Sequence, residues 1–119
     1  MSVTVKDGVR FDVIAPAGFV ILQALKDASK SLGVDIVITS GTDGDHSGML
    51  DPHKSGEAFD VRSHDYDPKT KQDVIGAVMA LLGRNHFFGF IESPGGPSEH
   101  YHFQRRIGTR YTVEEFLNG

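Results

Sequence analysis

Residues Val34 to Thr39 read VDIVIT, a short β-branched run of the kind that forms a buried strand. Its flanks decide the fold. On its N-terminal side Phe19, Leu22, Leu25, Ala28 and Leu32 recur at helical spacing, which predicts a helix over Gly18 to Ser31 that ends at Gly33. On its C-terminal side the apolar pattern stops. Ser40 to Gly56 is a polar loop carrying Asp43, Asp45, His46, Asp51, His53 and four glycines, and a loop of that length inside a compact domain is usually functional.

Further out the pattern resumes. Glu57 to Arg62 alternates, with Ala58, Asp60 and Arg62 on one face and Phe59 and Val61 on the core face. Asp67 as N-cap and Pro68 at the first position open a second helix running to Gly83, with Val74, Ile75, Val78, Met79, Leu81 and Leu82 as its buried stripe. His86 to Ile91 reads as a strand, Glu92 to Ser98 as a Pro/Gly turn, and Glu99 to Gln104 as another strand. Val3 to Ile14 alternates weakly around Asp7-Gly8 and reads as a hairpin or an extended arm. Thr112 to Glu115 fits a capping box for a short terminal helix. The order of elements predicts one α+β domain over residues 1–119: an antiparallel sheet with helices packed on one side.

Composition narrows the chemistry. With 39% hydrophobic and 24% charged residues the chain is an ordinary globular protein, and its formal net charge of -4 offers no footprint for nucleic acid. No apolar run reaches the roughly 18 residues of a membrane span, and no signal-peptide core opens the chain, so it is expected to be cytoplasmic as synthesised and monomeric. Cysteine is absent, which excludes disulfides, thiolate zinc sites and cysteine catalysis. A bound metal must then use His, Asp and Glu, the donor set of a catalytic site.

Those residues cluster. His46, His53, His64, His100 and His102 all lie in or beside the polar loop and the strands on either side of the second helix. His53 and Asp60, with Gly56 between them, can fold back across a tight turn to meet on one metal. In a regular strand His100 and His102 share a face and Glu99 points the other way with Tyr101 and Phe103. The aspartates of the loop lack the spacing of a calcium-binding EF-hand.

His53-x-x-Gly56-x-Ala58-x-Asp60, followed by Ser98-Glu99-x-x-His102-Phe103, resembles the zinc D-alanyl-D-alanine carboxypeptidase and dipeptidase family, which includes phage L-alanyl-D-glutamate endopeptidases. The resemblance spans Val34 to Phe103. It implies the hedgehog/DD-peptidase fold, Zn2+ held by His53, Asp60 and His102, and Glu99 as general base that takes a proton from water and returns it to the leaving amine. It implies a peptidoglycan stem peptide as substrate, and an endolysin-like or wall-remodelling hydrolase that reaches the wall after release or as part of a phage particle. It further implies a bend at Ser98-Glu99, for which Pro94 to Pro97 supply the irregularity. Two departures stand out. The family carries an Arg after the Ser-Gly that leads into the loop, whereas here the chain reads Ser40-Gly41-Thr42-Asp43; His46, Lys54 or Arg62 would have to replace it, and His46 is the nearest in the loop. Glu57 stands where family members often carry a basic residue. The missing Arg keeps two other readings open: an inactive metal-binding module that recognises wall peptide, and a structural phage component that reuses the fold.

Overall fold

The computed structural model describes residues 1–43, 53 and 55–106. The elements run β1 (Val3–Val5), α1 (Pro16–Leu32), β2 (Ile36–Ser40), β3 (Ala58–Arg62), α2 (Pro68–Leu82), β4 (Phe87–Glu92) and β5 (His100–Arg105), an α+β arrangement. The region expected to form the terminal helix, Thr112 to Glu115, lies outside the described residues.

The five strands are ordered β1-β2-β3-β5-β4, and the sheet is mixed, not antiparallel throughout. β1 runs parallel to β2, with Val3, Thr4 and Val5 opposite Ile36, Val37 and Ile38. The remaining pairings are antiparallel. The correction comes from the first 15 residues, where a hairpin is not formed. Gly8 does turn the chain, at φ 89°, but the residues beyond it form an arm bonded to the start of the polar loop. The amides of Arg10 and Gly41 both donate to Asp43 Oδ1, and the Asp12 amide donates to Thr42 Oγ1. The strand partner of β1 is therefore reached only through α1, and a helical crossover delivers a parallel neighbour.

Both helices end as their sequences dictate. Asp67 Oδ1 accepts the Thr70 amide at 2.7 Å, with Pro68 at the first helical position. Gly33 closes α1 in the left-handed conformation that glycine adopts without strain, at φ 67°. Ile21, Leu25 and Ala28 of α1 and Val74, Val78 and Met79 of α2 pack with Ile36, Ile38, Phe59, Val61, Tyr101 and Phe103 in one cluster, so both helices cover the same face of the sheet. Leu81, one residue off the Val74-Val78-Leu82 row, is exposed instead of buried. Among the described residues no helix is long and apolar enough to cross a membrane.

The core fixes what the other face displays. Phe59 lies opposite Phe103, and Val61 opposite Tyr101, all four fully buried. Burial of each such side chain is worth about 1.5–3 kcal/mol, and a one-residue slip of β3 against β5 would exchange the two faces. The open face thus carries Ala58, Asp60 and Arg62 opposite Gln104, His102 and His100, with Phe88, Phe90 and Glu92 of β4 beyond them.

Candidate metal centre

Asp60 and His102 are direct cross-strand partners in the middle of this open face. His102 Nδ1 is 2.9 Å from Asp60 Oδ1. His53 arrives from the loop side. Its carbonyl accepts the Gly56 amide at 3.1 Å, and Gly56 sits at φ 74°, a conformation that suits glycine. This bend turns the His53 ring inward until it is 3% exposed, with Nε2 3.3 Å from Asp60 Oδ1. One ligand atom from each of His53, Asp60 and His102 lies within 4.8 Å of the other two.

The outward sides of both rings show how they are oriented. His53 Nδ1 is 2.9 Å from the carbonyl oxygen of Gly41, which can only accept, so Nδ1 carries a hydrogen and Nε2 faces the centre. His102 Nε2 is 2.6 Å from Gln104 Oε1, and Nδ1 faces the centre. Burial opposes the charged form of Asp60. Hydrogen bonds from His102 and His53 outweigh it and hold the carboxyl well below the ordinary carboxylate range. Burial likewise opposes protonation of His53, but the hydrogen bond and charge of Asp60 prevail and raise its pKa. Two imidazole nitrogens and a carboxylate oxygen converge, each histidine tied from behind to an oxygen acceptor. That is the usual arrangement of metal-binding histidines. With no thiolate in the set, the donors fit a catalytic cation better than a purely structural one.

A largely buried ion pair braces the bend from below. Glu57 takes the Arg105 guanidinium through both carboxylate oxygens and also accepts from Ser55 Oγ at 2.7 Å. Burial works against its charge, yet Arg105 and Ser55 keep its pKa below the ordinary value. The acidic residue at this position is therefore explained by its partner at the end of β5.

Glu99 is not brought to the three donors. The irregular turn expected between Pro94 and Pro97 is present, with Ser93 at φ 51° and Gly95 at φ 78°. It places Glu99 against α2. Oε1 accepts from Ser63 Oγ at 2.7 Å and from Lys71 Nζ at 2.9 Å, and Oε2 accepts from the Gly95 amide at 2.8 Å. The Gly95 amide, then Lys71 and Ser63, hold its pKa down at about 2. The residue that does share the face is His100. Its Nε2 lies 3.7 Å from Asp60 Oδ2 and 2.6 Å from Glu92 Oε2, while Nδ1 is 2.7 Å from the Ser98 carbonyl. Arg62 is on the same face, opposite His100, its Nη1 3.6 Å from Asp65 Oδ2. His46 and Lys54 lie outside the described residues. His64 is a surface residue 3.4 Å from Asp65.

Four contributors were not singled out from sequence: the Gly41 carbonyl, Gln104, Glu92 and the Phe88–Phe90 pair. The two phenyl rings are stacked at 6.1 Å and flank His102 at 6.3 and 5.3 Å. Alternation along β5 from His102 would have found Gln104, and the pairing of β4 with β5 the other side chains. No known family, curated protein or solved structure matches this chain.

Proposed function

We propose that the protein is a zinc-dependent peptidase acting on peptidoglycan stem peptides of the D-Ala-D-Ala or L-Ala-D-Glu type, with the hedgehog/DD-peptidase fold. The observation that carries the metal half of this reading is the convergence of His53 Nε2, Asp60 Oδ1 and His102 Nδ1, with the far nitrogen of each ring held by an oxygen acceptor. The substrate class rests on the likeness of the His53-to-Asp60 and Ser98-to-Phe103 motifs to that family.

His53, Asp60 and His102 would hold the zinc. Bound there, zinc supplies Lewis acidity, acidifying water and polarising a carbonyl oxygen. The stacked rings of Phe88 and Phe90 flank His102 on one side of the site. Glu99 remains the proposed proton acceptor by motif, and reaching the site requires exchange of its bonds to Lys71, Ser63 and Gly95. The placement of His100 beside Asp60 favours a second assignment, in which His100, oriented by Glu92 and the Ser98 carbonyl, handles the proton.

The test has two stages. Purified wild type is expected to hold about one zinc per chain and His102→Ala almost none; no zinc in either after incubation with excess metal overturns the reading. Zinc-loaded protein is then offered stem peptides ending in D-Ala-D-Ala or containing L-Ala-D-Glu. Turnover lost in Glu99→Gln assigns the base to Glu99, and turnover lost only in His100→Gln assigns it to His100. Zinc binding with no turnover of either peptide would leave a metal-binding module that recognises wall peptide. The tight engagement of Glu99 by Lys71 and Ser63 is the feature that favours this last outcome.

A further inference from the structure

We propose that Gln104 is the positioning residue that makes His102 meet the metal through Nδ1. The inference rests on the metal reading above and concerns a residue that no part of the His-Asp-His motif includes.

Gln104 follows His102 by two positions on β5, so both side chains stand on the open face, and Ala58 and Phe88 flank Gln104 on the neighbouring strands. It is a buried polar side chain, at 9% exposure. Its amide nitrogen donates to the Arg105 carbonyl at 3.1 Å, which assigns the amide oxygen to the other end. That oxygen stands 2.6 Å from His102 Nε2. A carbonyl-type oxygen only accepts, so Nε2 must carry a hydrogen, and Nδ1, which donates to Asp60, is the nitrogen that would give up its proton to a metal. On the opposite side of the centre the Gly41 carbonyl does the same for His53 with the nitrogens exchanged. The two histidines therefore approach through different atoms, one through Nε2 and one through Nδ1. A main-chain group imposes one choice and a single side chain the other. Removing the Gln104 acceptor would leave a half-buried Nε2–H without its partner and let the ring turn. The cost falls on the bound state, because the ring must then be ordered by the metal itself.

Outer partners of metal-bound histidines typically contribute about 10- to 100-fold in metal affinity. Gln104→Met keeps the length and apolar stem of the side chain and removes the acceptor. It is expected to weaken zinc binding by about that factor in a chelator-competition titration. Gln104→Glu, which retains an acceptor oxygen, is expected to stay near wild type or bind more tightly. A long-range proton–nitrogen NMR spectrum of the zinc-loaded wild type supplies a reading that needs no variant to fold: a proton on His102 Nε2 and none on Nδ1 is expected. Wild-type affinity in Gln104→Met, or a proton on His102 Nδ1 in the loaded protein, overturns the proposal while leaving the metal site intact. Failure of the wild type itself to bind zinc, alongside His102→Ala, overturns the metal reading and this inference together.

Discussion

A Cβ placed on Gly18 would lie 2.1 Å from the carbonyl oxygen of Gly56, so the first turn of α1 rests directly on the bend that carries His53. The Ala15 amide donates to that same carbonyl at 3.3 Å. On its other side, a Cβ on Gly56 would meet the Val13 carbonyl oxygen at 2.2 Å. The N-terminal arm, the start of α1 and the bend at Gly56 are thus stacked with no room for a side chain between them.

Gly56→Ala should therefore damage stability and metal binding together. A non-glycine residue in the left-handed region costs roughly 1–2 kcal/mol, and the clash with Val13 adds an overpacking penalty of about 1–3 kcal/mol. The urea midpoint of the metal-free variant is expected to fall accordingly, and zinc affinity to drop because the His53 ring is displaced. A variant with wild-type affinity for zinc would show that the bend does not position His53.

Zinc should stabilise the wild type by mass action. At a free concentration of 100 times Kd, binding to the native state alone adds about 2.7 kcal/mol. A rise in Tm that grows with the logarithm of zinc concentration is expected for wild type, and none for His53→Ala or His102→Ala. Calorimetry of metal-stripped protein with and without zinc reads this directly.

The bonds to Glu99 predict an acid-dependent contribution. The Gly95 amide, Lys71 and Ser63 depress its pKa from an ordinary 4.5 to about 2 in the folded chain. The unfolded chain therefore takes up the proton first as pH falls. The stabilisation is complete above the ordinary value and is lost between about 4.5 and about 2. Glu99→Gln lacks that linkage. The wild-type advantage in denaturant midpoint over Glu99→Gln should be full near neutral pH, shrink through this window and vanish below it. A difference independent of pH would mean that the ionised carboxylate is not what Lys71 and Ser63 hold.

These relationships divide by how far along the chain their causes lie. The faces of β3 and β5 were legible because alternation is local: Phe59, Val61, Tyr101 and Phe103 had to go inward, and Asp60 and His102 followed outward. The bend at Gly56 was legible for the same reason, since His53 and Asp60 are close in sequence. The parallel pairing of β1 was not. Alternation across Val3 to Ile14 shows that a strand is possible and says nothing about whether its partner lies at Asp7-Gly8 or beyond α1. Glu99 illustrates the sharper limit. Its spacing to His102 matches the motif, but its partners Ser63 and Lys71 come from the segment before α2 and from α2 itself. Only packing of that helix on the sheet brings a lysine to the carboxylate. Glu57 shows the converse: an uninterpretable charge in the sequence became half of an ion pair once β5 was in place.

The exposed ring of Phe90 gives the last expectation. It is 40% exposed, on the strand beside β5, with its centroid 5.3 Å from that of His102. On the proposed function, a large apolar side chain left open next to His53, Asp60 and His102 would cover part of a substrate. Burying the 40% of this residue that is exposed is worth about 0.6–1.2 kcal/mol, or roughly three- to eightfold in kcat/KM. Phe90→Ala should therefore lower kcat/KM for stem peptides by about that factor, mainly through KM, while zinc content and the urea midpoint stay near wild type. Phe19→Ala, which removes a ring 60% exposed on α1 in the helical layer on the opposite side of the sheet, is the matched control and should change none of the three. Equal kinetic losses in both variants would point to a general effect of lost apolar surface. An unaffected Phe90→Ala would show that this ring does not contribute to substrate binding.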